Sequence, residues 1–133
     1  MLPHPSLEEF EQKLTRILAE IDDLLENRYG HLYPLHPSRP KRGETASKAH
    51  DGLFNLSTSF TLGLGSKLGK GYVFDLHFAT LEKVEPAVLR ETEKLVLEQL
   101  NQKLDRYFPN RKLDASRDGK LIKIHGDLSL GKL

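Results

Sequence analysis

The 133-residue chain contains no cysteine. That excludes a disulfide framework and a thiolate metal site. No apolar run approaches the ~20 residues that a membrane-spanning helix needs. Met1-Leu2-Pro3-His4-Pro5 has neither the basic start nor the apolar stretch of a secretory signal. The expected compartment is therefore the cytoplasm. An excess of one charge is missing too, since the formal net charge is +1. With 38% hydrophobic and 29% charged residues, the composition is that of an ordinary soluble globular protein. The length suits a single domain over 1–133.

The small net charge hides an asymmetry. Residues 1–30 carry three basic and seven acidic side chains, whereas residues 31–70 carry six basic and two acidic. Opposite charge on adjacent segments has two readings. In one, the basic segment docks on the acidic helix of its own chain or of a twin. In the other, it faces an anionic partner.

Periodicity then divides the chain. Ser6-Leu7-Glu8-Glu9 reads as a capping box. Leu7, Phe10, Leu14, Ile17, Ile21 and Leu24 follow at helical spacing, with Leu18 and Leu25 widening the stripe. Helix 1 is expected over 7–28, closed by Gly30 in the left-handed region. Residues 30–52 hold three prolines and no sustained period, and read as a mobile basic arm. From Phe54 the period becomes two. Phe54, Leu56, Phe60, Leu62, Phe74, Leu76 and Phe78 form an apolar face. Asn55, Ser57, Ser59, Thr61, Asp75 and His77 form a polar one. The hairpin over 53–81 is expected to turn through Gly65–Gly71. That pairs Leu62 with Phe74, Phe60 with Leu76, Ser59 with His77 and Thr61 with Asp75. Pro86 suits the first turn of helix 2, expected over 86–108. Asp118-Gly119 between alternating runs marks a second hairpin over 112–125, with Leu113 facing Ile124 and Ala115 facing Ile122. The resulting fold class is α+β in αββαββ order. An antiparallel four-stranded sheet carries both helices on its apolar face, and the other face is open.

The segment Gly63-Leu64-Gly65-Ser66-Lys67-Leu68-Gly69-Lys70-Gly71 is not a P-loop, because the first glycine and the Ser/Thr of that motif are missing. It is not a dinucleotide fingerprint either, since its last glycine comes one position late and a strand follows. What remains is a basic turn able to expose backbone N–H groups to an anion. Arg39, Lys41, Arg42 and Lys48 of the arm, together with Lys67 and Lys70 of the tip, are the candidate phosphate contacts. They gather on one surface if the arm folds toward the tip. Aromatics interleaved with these positions are few, which disfavours base stacking and leaves contact with backbone or shape.

Ser, His and Asp on the polar sheet face invite a hydrolase reading. A flat exposed sheet gives neither a base held in reach of a nucleophile nor a shielded oxyanion site. Histidine spacing builds no complete metal site, so neither metal nor cofactor is expected. The expected function is binding of a polyanion, RNA or DNA, through the arm and the hairpin tip. The alternative is a non-enzymatic protein that self-associates, as a homodimer, through helix 1 or the open sheet face. A small enzyme on the polar face comes third.

Overall fold

The computed structural model describes residues 5–46, 50–64 and 68–126. The elements follow the expected order: α1 (Pro5–Tyr29), β1 (Phe54–Thr61), β2 (Gly71–Phe78), α2 (Pro86–Tyr107), β3 (Leu113–Asp118) and β4 (Leu121–Gly126). The four strands form one sheet in the order β1-β2-β4-β3, and every neighbouring pair is antiparallel. The β2–β4 pairing that joins the hairpins is short, running only from Tyr72 to Phe74 on β2. Both helices pack against this sheet through one continuous core.

The helices form for the reasons their patterns give. Phe10, Leu14, Ile17, Ile21 and Leu25 of α1 are buried, and so are Val96, Leu100 and Leu104 of α2. Thr92 belongs to that second stripe despite its hydroxyl, because the hydroxyl donates to the Val88 and Leu89 carbonyls. Pro86 opens α2, and the Phe108 N–H closes it on the Leu104 carbonyl just before Pro109. The start of α1 is Pro5, so Ser6 lies inside the helix rather than ahead of it. Gly30 ends α1 without a positive φ. What this position requires is room: an added Cβ would lie 2.6 Å from Glu26 Oε2 and still closer to the Glu26 carbonyl.

The two faces of the first hairpin alternate as expected, except that Phe60, expected in the core, is 53% exposed toward the end of β1; the register is not as expected. Phe60 pairs with Tyr72, Thr58 with Phe74 and Leu56 with Leu76. Ser59 stands opposite Val73, Ser57 opposite Asp75, and Asn55 opposite His77. Thr61 ends β1 against Gly71, so the connecting loop runs from residue 62 to 70. Gly63, at φ 71°, bends the chain immediately after the strand, and its N–H donates to Thr61 Oγ1. Alternation continues through Leu62 and Leu64 in sequence, yet the strand stops before them. Both side chains consequently leave the core, at 66% and 90% exposed. The slip is by an even number of residues, so no face is exchanged. The second hairpin differs likewise: Ala115 pairs with Ile124 and Leu113 with Gly126. Its turn is Gly119-Lys120, with φ 64° at Gly119.

Phe74 is buried among Leu and Phe, and Leu62 stands in water. Phe74→Ala should therefore cost ~3–5 kcal/mol in urea unfolding. Leu62→Ala and Ser59→Ala should each stay within about 0.5 kcal/mol. A Leu62 change as damaging as the Phe74 change would contradict this placement of the hairpin tip.

Candidate functional site

The segment between α1 and β1 is fastened at many points and is no free arm. The Tyr33 hydroxyl accepts the Glu85 N–H, and its ring meets Phe78 edge-on. The His36 N–H donates to the Ala79 carbonyl and the Gly52 N–H to the Pro40 carbonyl. Arg39 lies across the base of the first hairpin. Its Nε donates to Gly52 O at 2.9 Å, and its Nη2 donates to Asp51 O and Phe54 O, each at 3.0 Å.

Arg42 turns the other way, onto α1. It ion-pairs with Asp22 and Asp23 of that helix at 2.6 Å and with Asp51 at 3.2 Å. Arg42 thus docks on the acidic helix of its own chain, as the first of the two readings of the charge pattern has it for the segment as a whole. Asp51 is buried and also accepts from the Gly43 N–H, the Thr45 N–H and the Thr45 hydroxyl. Burial pushes its carboxyl up, but those hydrogen bonds and the Arg42 charge outweigh burial, so its pKa is lowered. The neighbouring Glu26 carboxylate accepts the Phe54 N–H at 2.8 Å. Burial raises its pKa in spite of that bond. Gly52, at φ 76°, is needed here twice over, because any side chain would overlap Glu26 Oε1.

Above this network lies a cleft of about 410 Å³ on the open side of the sheet. Asn55 and His77, paired across β1 and β2, form its floor. His36, Ser38, Arg39 and Pro40 form one wall, and His50, Ala79 and Thr80 complete it. Ser38 donates its N–H to His36 Nδ1 at 3.1 Å, and its hydroxyl lies 2.8 Å from the same nitrogen. In the neutral imidazole, Nε2 then carries the proton and donates. Three imidazoles, an amide and two hydroxyls surround the space, and among the described residues no carboxylate lines it. Among the described residues no group of three or more histidine, aspartate or glutamate side chains could hold a metal ion.

The sequence-derived contacts are not brought together. Arg39 and Arg42 sit at the base of the first hairpin and are engaged as described. Lys41 is exposed on the same loop. Lys70 is exposed at the opposite end of the hairpin, beyond eight paired residues, or roughly 25 Å of strand. Lys48 and Lys67 lie outside the described residues. Farther along the face away from the helices, the Ser116 hydroxyl lies 2.8 Å from His125 Nε2. Lys123 is 2% exposed, and its Nζ donates to the Asp118 carboxylate at 3.2 Å. Sequence reasoning missed the cleft because His36, His50 and His77 are far apart in the chain. The one signal was that His77 and Asn55 share the polar face.

A family model described as "Uncharacterised protein" matches residues 5–126. The chain belongs to that family. It is also 39% identical over 118 residues to an "Uncharacterized protein" of Borreliella burgdorferi, a match covering 89% of this chain and 92% of that one. No solved structure matches. The family match runs through the cleft and the network beneath it. None of the helices among the described residues is long and apolar enough to cross a membrane.

The network under the cleft makes a testable claim. The Asp22 side chain is 3% exposed, and its Oδ1 lies near Arg42 without the alignment of a hydrogen bond. Burial pushes its carboxyl up to about 7; Arg42 opposes this, and Glu26 and Asp23 reinforce it. A raised pKa means that the folded state holds this proton more tightly than the unfolded chain. Its stabilising contribution is full below the ordinary aspartate value of 3.8 and is lost as pH rises to about 7. Asp22→Asn should abolish that loss. Relative to the parent it should gain on the order of 3 kcal/mol between pH 4 and pH 8. Arg42→Ala leaves buried carboxylates unpaired and should cost ~3–5 kcal/mol at pH 7. Urea unfolding across this range is the measurement. Parallel pH profiles for parent and Asp22→Asn would show that folding does not raise the Asp22 pKa.

Proposed function

We propose that this protein binds a nucleic acid by its phosphates and that the histidine cleft, rather than a joined arm and hairpin tip, is the seat. One observation carries the reading: among the described residues the cleft is lined by three histidines, Asn55, Ser38, Thr80 and Arg39 and by no carboxylate. An isolated anion finds N–H and O–H groups there, in a concavity that holds a positive charge close by. Bonds from its guanidinium to the Gly52, Asp51 and Phe54 carbonyls fix the position of Arg39. Lys41 extends the basic surface along the same loop. Lys70 belongs to a separate, distal contact. The open sheet face carries no exposed aromatic row, so the contact is to backbone and not to stacked bases.

Fluorescence anisotropy with a short single-stranded RNA, at pH 6 and two salt concentrations, tests this. Affinity should fall with salt by roughly 0.7 in log–log slope per phosphate contact. His36→Ala combined with His77→Ala should weaken binding at least tenfold. Lys70→Ala should weaken it less, and Arg117→Ala, on the helix side of β3, should leave it unchanged. Equal losses from all three variants would reduce the effect to overall charge, and absence of binding at low salt would end the proposal.

A further inference from the structure

The two edges of the sheet are not equally protected. At the β3 edge, Asn101 of α2 covers Ala115 on both sides of its peptide: the Asn101 amide donates to the Ala115 carbonyl at 2.9 Å and its oxygen accepts the Ala115 N–H at 2.8 Å. Among the described residues the β1 edge has an equivalent device only at its first residue. Glu26 accepts the Phe54 N–H and Arg39 donates to the Phe54 carbonyl. These bonds also fix which way the backbone points. Phe54 directs both groups away from β2, so Leu56, Thr58 and Phe60 do the same, and the odd-numbered residues bond to β2. Among the described residues nothing takes up the outward N–H and C=O groups of Thr58 and Phe60. The strand Phe54-Asn55-Leu56-Ser57-Thr58-Ser59-Phe60-Thr61 has no charge, no proline and no bulge in its eight pairs. Those are the usual devices that stop an edge from adding another strand.

We propose that β1 pairs with β1 of a second copy of this chain, antiparallel about a two-fold axis at Ser59. Antiparallel pairing of a strand with itself is a closed two-fold operation, so one unguarded edge suffices and no open fibre follows. About that axis Phe60 stands opposite the second copy's Thr58 and Leu62 opposite its Leu56. The hydrogen-bonding residues meet hydrogen-bonding residues, and the pairing ends where Glu26 and Arg39 already cover Phe54. Phe60 and Leu62, now 53% and 66% exposed, become covered. The other face meets as a row of hydroxyls, Ser59 on Ser59. Strand and side chains together bury roughly 500 Å² per copy, against about 800 Å² for a standard interface. The dimer is therefore weak and depends on concentration. It leaves the cleft free, so it stands independently of nucleic-acid binding.

Sedimentation of the full chain between 5 and 500 µM is the test. The weight-average mass should rise from near the 15.1 kDa monomer toward twice that value. Thr58→Pro removes an outward N–H that β2 does not use, and it should abolish the rise. Phe60→Lys, at an exposed position, should do the same and keeps the test valid if the proline variant fails to fold. Because the chain has no cysteine, Ser59→Cys supplies a single reporter. Opposed non-hydrogen-bonded residues have Cα atoms ~4.5 Å apart, within disulfide reach. Mild oxidation should cross-link Ser59→Cys and not Lys120→Cys, at the other hairpin's turn. A monomer at 500 µM, a dimer that survives Phe60→Lys, or equal cross-linking of the two cysteine variants would overturn the proposal.

Discussion

The Glu26 carboxylate is the contact on which the base of this fold depends. It sits in the last turns of α1 and accepts the N–H that opens β1. Helix and sheet are thereby joined by a charge-assisted bond as well as by apolar packing. Burying a carboxylate is unfavourable, and the raised Glu26 pKa registers that. The surroundings compensate in a specific way. Gly30 and Gly52 leave room for the carboxyl, and Arg39 donates to the carbonyl of the same residue, Phe54. Each part constrains the next, so Gly30, Gly52 and Arg39 are all placed around one buried side chain and the residue it bonds.

Side chains here repeatedly take the place of a neighbouring strand. Asn101 does so for β3, and Glu26 with Arg39 does so for β1. A sheet of four strands has two edges, and an amide or a carboxylate–guanidinium pair satisfies an edge peptide without adding a strand. The consequence is local. The peptide that is covered is removed from further pairing, and the uncovered remainder of β1 keeps its capacity to pair. The exposed Phe60 and Leu62 lie along that same uncovered stretch.

Charge counting along the chain gave a basic segment, but a basic segment is not a basic surface. Arg42 is directed at Asp22, Asp23 and Asp51, and Arg39 at three carbonyls. Lys41 and Lys70 remain exposed at opposite ends of the first hairpin. The cleft brings together three histidines among its nine lining residues. It arises because the turn at His36–Pro40 folds over the outward side of Asn55 and His77.

The sequence by itself determined the element order, both helices, and which face of every strand is apolar. These are set by local periodicity, by Pro86 and Pro109, and by glycine-marked turns, all of which act within a few residues. The fold class follows from them, because two apolar helix stripes and one apolar sheet face have only each other to bury against. Tertiary structure alone decided the hairpin registers, since a period of two repeats equally well at every even shift and Gly63 ends the strand early. It alone decided that Leu62 and Leu64 leave the core, that Gly30 serves for space and not for its φ, and that Arg42 binds the helix of its own chain. The cleft belongs to the same class. His36, His50 and His77 meet only because the loop is tied to α1 and to Ala79, and contacts between residues so distant in the chain leave no periodic trace in it.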